Sequence, residues 1–61
     1  MSIKEMYEGY RTCSRFTQDA IISLIDWMGD DHFIRWIREQ AVDFETIKQT
    51  ALIHAWNCVK E

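Results

Sequence analysis

The chain has no proline and only two glycines, Gly9 and Gly29. Turns draw heavily on these residues, so a sheet of many short strands is excluded in favour of a few helices. Two cysteines allow at most one intrachain disulfide, which excludes a disulfide-dense secreted scaffold. No apolar run approaches the ~20 residues that span a bilayer. The densest, AIISLIDWM, is broken by Ser23 and Asp26. The opening MSIKEMYEGY lacks the apolar stretch of a signal peptide. These absences together predict a soluble, cytoplasmic protein with reduced thiols.

Basic charge is also scarce. Seven Lys and Arg face ten Asp and Glu, a net charge of −3, so there is no general attraction to nucleic acid. Only a local basic patch could serve that purpose. There is no glycine-rich phosphate loop and no catalytic signature, and no enzyme activity or cofactor is expected.

What is present is apolar. With 48% hydrophobic and 13% aromatic residues, the chain is too rich for disorder. Its 61 residues make one domain near the lower limit of independent folding. A core of that size nets only about 3–5 kcal/mol, so a staple or a partner is expected.

Two amphipathic seams order the chain. Ser2-Ile3-Lys4-Glu5 matches a capping box, in which hydroxyl and carboxylate each satisfy a backbone N–H. From there Met6, Tyr10, Cys13, Thr17, Ala20, Leu24 and Trp27 recur at alternating spacings of 4 and 3. Ile3, Tyr7, Ile21, Ile25 and Met28 widen this into a core-facing stripe. Gly29 then offers a left-handed residue, and Asp30 or Asp31 a cap for the next helix. The second seam runs Phe33, Ile37, Gln40, Phe44, Ile47, Ala51, His54 and Cys58, with Ile34, Ala41, Leu52, Ala55 and Val59 beside it.

The pattern predicts an all-α fold: one helical domain, residues 1–61, built as a long hairpin. Its helices cover about 3–28 and 32–60 around a turn at 29–31. Two rival breaks compete with it. Phe16 and Ile21 would form a hydrophobic staple around a Thr17 cap, and Val42 and Ile47 around Asp43. Because Gln40 already weakens the second seam, Asp43 is the more credible break, and it would divide the hairpin into three helices; both breaks together would give three or four short ones.

A hairpin hides one stripe per helix. In ALIHAWNCV, residues 51–59, only His54 and Asn57 are polar, and in FIRWI, residues 33–37, only Arg35 is. Helices that are apolar over most of their circumference must be covered on more than one side. Two hairpins pairing about a two-fold axis as a four-helix bundle would cover them. A homodimer is therefore expected, with Leu52, Ala55, Trp56 and Val59 at its interface. Tyr10, Trp27, Phe33, Trp36 and Phe44 are expected in the core or that interface.

Few residues could carry chemistry. His54 and Cys58 share a helical face at i and i+4. A structural zinc site takes four ligands and a catalytic one three. Across a hairpin Cys13 would lie about 17 Å from Cys58, too far for a disulfide or a shared metal. Both cysteines are accordingly expected to be buried and structural. Asp30-Asp31-His32 could orient a histidine base, but no nucleophile stands nearby in sequence, and caps suffice to explain the aspartates.

On an uninterrupted first helix Phe16 falls at the edge of the buried stripe. Lys4, Arg11, Arg15, Gln18 and Ile22 gather on the far side. An exposed aromatic among arginines can stack on bases or anchor a protein contact. In length, turn position and Arg15-Phe16 the chain resembles the Rop family of plasmid copy-number regulators. That resemblance implies a hairpin dimerising as a four-helix bundle, with Arg15-Phe16 in an RNA-binding face. A second group, Arg35, Trp36 and Arg38, should pair its charges with Asp19, Asp26, Asp30 and Asp31, and Trp36 and Arg38 suit a protein contact.

The expected function is a small non-enzymatic homodimer that binds and modulates a host or other partner protein through Arg11, Arg15, Phe16, Trp36 and Arg38. Its size and class suit a bacteriophage or mobile-element accessory protein. The alternatives are an RNA-binding regulator using Lys4, Arg11, Arg15 and Phe16, or a subunit docking through residues 51–59.

Overall fold

The computed structural model describes residues 2–40 and 43–60, with the backbone alone for residues 59 and 60. Four helices follow in order: α1 (Ile3–Arg11), α2 (Arg15–Met28), α3 (Asp30–Glu39) and α4 (Phe44–Lys60). Among the described residues there is no strand. The all-α expectation holds, but the long hairpin does not, nor does the hairpin implied by the resemblance to Rop. An unbroken helix over 3–28 would be about 39 Å long at 1.5 Å per residue. The molecule's greatest extent is 31 Å.

The first break lies at Thr12–Ser14, where the Thr12 and Cys13 N–H groups turn back to the Gly9 and Tyr10 carbonyls at 3.1 Å and side chains add to these bonds. The Thr12 hydroxyl and the Cys13 thiol both donate to the Gly9 carbonyl, at 2.8 and 3.3 Å. The Gln18 amide donates to the Tyr10 carbonyl at 2.9 Å. The carbonyls that end α1 are thus satisfied without further helix. Ser14, in extended conformation, caps α2 by accepting the Thr17 N–H at 3.4 Å. The rival reading therefore placed the cap three residues late, and Thr17 stands inside the helix that Ser14 opens.

The other boundaries follow the sequence more closely. Ser2 accepts the Glu5 N–H at 3.2 Å, the hydroxyl half of the capping box; the reciprocal Glu5 carboxylate bond is not among those of the described residues. Gly29 ends α2 and starts α3 with φ +91°, a conformation that disfavours any side chain. Asp30 and Asp31 are not caps. They occupy the first turn of α3, where their charge complements the helix dipole. The expected break at Asp43 is present, its carboxylate accepting both the N–H and the hydroxyl of Thr46 at 2.9 Å. Ala41 and Val42, and with Val42 the proposed staple, lie outside the described residues.

The main helix pairing is α2 on α4. The helix α3 leans on α2, and α1 rests against both α2 and α4. Between them lie Ala20, Ile21 and Leu24 from α2, Phe33 and Ile37 from α3, and Ile47 and Ala51 from α4. Ile21, Leu24, Ile37 and Ile47 are essentially sealed from solvent, each contributing about 1.5–3 kcal/mol of burial. Helix α1 buries no residue fully, but Met6 and Tyr10 pack against this core. It can lie close because residue 9 has no side chain. A methyl group there would come within 2.6–2.8 Å of the Phe44 ring.

Two tests follow from this packing. Gly9→Ala should gain about 1 kcal/mol of helix propensity. It should lose more, about 1–3 kcal/mol, by forcing the Phe44 ring aside. Urea unfolding should therefore show a net loss, with a more stable variant contradicting the seat of α1 on Phe44. The second test uses pH. The Thr46 N–H, and then its hydroxyl, hold the Asp43 carboxyl below its usual range. A depressed carboxylate stabilises the fold above its unfolded-state pKa and loses that effect as pH falls through the folded value. Asp43→Asn keeps a capping oxygen but no titration. Below about pH 4 the wild-type melting temperature should fall more steeply than that of D43N, and parallel curves would contradict the assignment.

Candidate functional site

The side chains with the most chemical potential meet where α2 lies along α4. Ser23 and Trp27 are one turn apart on α2, and His54 and Cys58 are one turn apart on α4. The Ser23 hydroxyl lies 3.3 Å from His54 Nε2, and the Cys58 thiol lies 3.8 Å from the same nitrogen. The imidazole tilts against Trp27, with ring centroids 5.2 Å apart. Trp27, His54 and Cys58 line a solvent-open hollow of about 550 Å³ together with Leu24, Thr50, Ile53 and Asn57.

This face is apolar and uncovered. Trp27 is 73% exposed and Ile53 63%. Trp27 was expected in a core or interface and is outside the core. Cys58 was expected to be buried and is exposed; Cys13 is half-buried, and both are free thiols. Hydroxyl and thiol converge on one ring nitrogen. Among the described residues no three His, Cys, Asp or Glu side chains gather into a metal-binding group. The hollow suits contact with an apolar surface, with His54, Thr50 and Asn57 as polar handles.

The residues expected to bind a partner separate into two places. Arg11 ends α1, Arg15 begins α2, and Phe16 follows it, all exposed around the α1–α2 joint. Phe16 is 67% exposed, and Arg15 pairs with Asp19 at 3.7 Å. Gln18, expected on the same solvent face, instead turns inward to bond Tyr10. Lys4 lies on a different helix from Arg15, so no single helix aligns the basic face.

Trp36 and Arg38 are on α3. Trp36 is half-buried against the core, its ring tilted on Phe33 at 5.9 Å. Arg38 is exposed, beside a hollow it shares with Asp31, Ile34, Arg35 and Glu39. The ion pairs among the described residues, Arg15–Asp19 and Glu45–Lys48, are both within one helix. The expected pairing of Arg35 and Arg38 with aspartates across the turn is not among them.

Of the residues expected at a dimer interface, Leu52 and Ala55 pack partly on their own core. Trp56 is 65% exposed, and the Val59 side chain lies outside the described residues. A second apolar cleft, about 210 Å³, is roofed by Ile3 and Met6 of α1 over Ile25, Phe33, Ile34 and Ile37.

The grouping of Ser23, Trp27, His54 and Cys58 escaped sequence reasoning except for the i, i+4 pair, because it joins positions 31 residues apart. The signal within reach was that Ser23 and Trp27 share one side of α2, but nothing local says which side of α4 meets it. No protein family, curated protein or solved structure matches the chain.

Proposed function

We propose that the chain is a non-enzymatic helical binding protein that works as a homodimer and engages and modulates a partner protein. The observation that carries this reading is the neighbouring exposure of Trp27 and Ile53 on the α2–α4 face. Single exposed apolar residues are ordinary on soluble proteins, but a contiguous patch bordered by polar groups is the mark of a contact surface. Folding α1 back leaves this face uncovered, since α1 packs elsewhere. An isologous pairing through it would hide both copies' patches at once. Partner contact is assigned to the opposite resource, the exposed Arg11, Arg15 and Phe16 around the α1–α2 joint, with Trp36 and Arg38 secondary. Arginine and aromatic residues dominate such contacts.

Sedimentation at micromolar concentration should report a dimer. Trp27→Ala should weaken it by about 2 kcal/mol, roughly 30-fold in Kd. Phe16→Ala should leave the dimer intact. A wild-type monomer in buffer without chelator, or a dimer indifferent to Trp27, would overturn the interface.

A second reading, RNA binding through Lys4, Arg11, Arg15 and Phe16, draws support from the exposure of Arg11, Arg15 and Phe16. It is weakened by the net charge of −3 and by the Arg15–Asp19 pair. Such binding would fall steeply with added salt, and absence of any RNA shift at ~50 mM salt would remove it.

A further inference from the structure

We infer that His54 and Cys58 form one half of a zinc site completed by the same two residues of a second copy. The inference rests on the homodimer reading above and adds a metal to its interface.

In tetrahedral zinc sites the metal lies about 2.3 Å from a thiolate sulfur and about 2.0–2.1 Å from an imidazole nitrogen. At the tetrahedral angle those bonds put sulfur and nitrogen about 3.6 Å apart. In this chain Cys58 Sγ and His54 Nε2 are 3.8 Å apart. Two donors on one helix therefore already hold the separation that a single zinc ion imposes.

The surroundings fit as well. Cys58 is exposed and His54 half-buried, so an ion can reach both. Trp27 packs against the imidazole and fixes its orientation. Ser23, which now contacts Nε2, is itself exposed and can give that nitrogen to the metal and turn to water. What one chain lacks is ligand number. Two donors leave the ion half-coordinated, and the described residues offer no third in reach.

A two-fold axis through the ion supplies the remainder. Two sulfurs and two nitrogens make the tetrahedral set for which zinc is the favoured metal. The same pairing brings the exposed Trp27 and Ile53 of both copies around the ion, where an apolar shell keeps water from competing for it. The binding step balances simply. One zinc ion takes two imidazoles and two thiols, and each thiol gives its proton to solvent.

The test uses the full chain, kept reduced with a phosphine so that no interchain disulfide forms. Sedimentation is run with stoichiometric zinc chloride and, separately, with excess EDTA, at one chain concentration. Bound zinc is measured after gel filtration. The expected result is one zinc per two chains, with the mass falling from twice that of the chain to that of the chain in EDTA. Cobalt in place of zinc should show thiolate charge-transfer absorption and the strong visible bands of a tetrahedral site.

Cys58→Ser and His54→Gln should each lose the metal and its spectrum while keeping the wild-type far-ultraviolet circular dichroism. A dimer that persists in EDTA without bound zinc would overturn this inference and leave the homodimer reading standing. A chain that stays monomeric and retains no zinc under either condition would overturn both. One zinc bound per monomeric chain would overturn the shared site.

Discussion

The rest of the structure depends on how the chain leaves its first helix. At Thr12 and Cys13 the helical ladder tightens into a turn, backbone N–H and side chain both bonding back to the last carbonyls of α1, and Ser14 caps the next helix. Gln18 reaches back to close the joint from the far side. Helix α1 is thereby free to turn and lie across α2 and α4 instead of running on past the core. The close approach is possible because Gly9 presents bare backbone to the Phe44 ring. A polar exchange worth little by itself thus decides where the apolar side chains Met6 and Tyr10 end up.

That decision changes how the chain hides its apolar circumference. A two-helix hairpin would leave most of it exposed. Four shorter helices cover Ile21, Leu24, Ile37 and Ile47 within one copy. What is left over is concentrated, with Trp27 and Ile53 bordering one hollow, His54 and Cys58 lining it, and Ser23 against His54. The fold therefore leaves the α2–α4 face as its clearest unmatched surface, and the proposed dimer and metal site both follow from that location.

Much of this was legible in the sequence, and the failures have physical reasons. Ala20, Leu24, Phe33, Ile37, Ile47 and Ala51 were read correctly as core-facing because helical periodicity reports which residues share a face. The break at Asp43 was visible because Val42 and Ile47 bracket Asp43 as a staple would and Gln40 weakens the seam. The break at 12–14 ranked behind an unbroken helix, and its cap fell three residues late, because Cys13 and Thr17 kept the seam in phase through it. Periodicity counts positions and is blind to a bend when the residues on both sides face the same core. The clue was local: Thr, Cys and Ser in succession are weak helix formers that compete for the backbone. The role of Gly9 and the exposure of Trp27 depend on where α4 lies, which no local pattern contains.

The most direct test of this account is the proton spectrum of the joint between α1 and α2. Nuclear Overhauser contacts from the Gly9 α-protons to the Phe44 ring, with non-helical carbon shifts at Cys13 and Ser14, are the predicted result. Unbroken helical contacts from Tyr10 through Gln18, with none between Gly9 and Phe44, would contradict it.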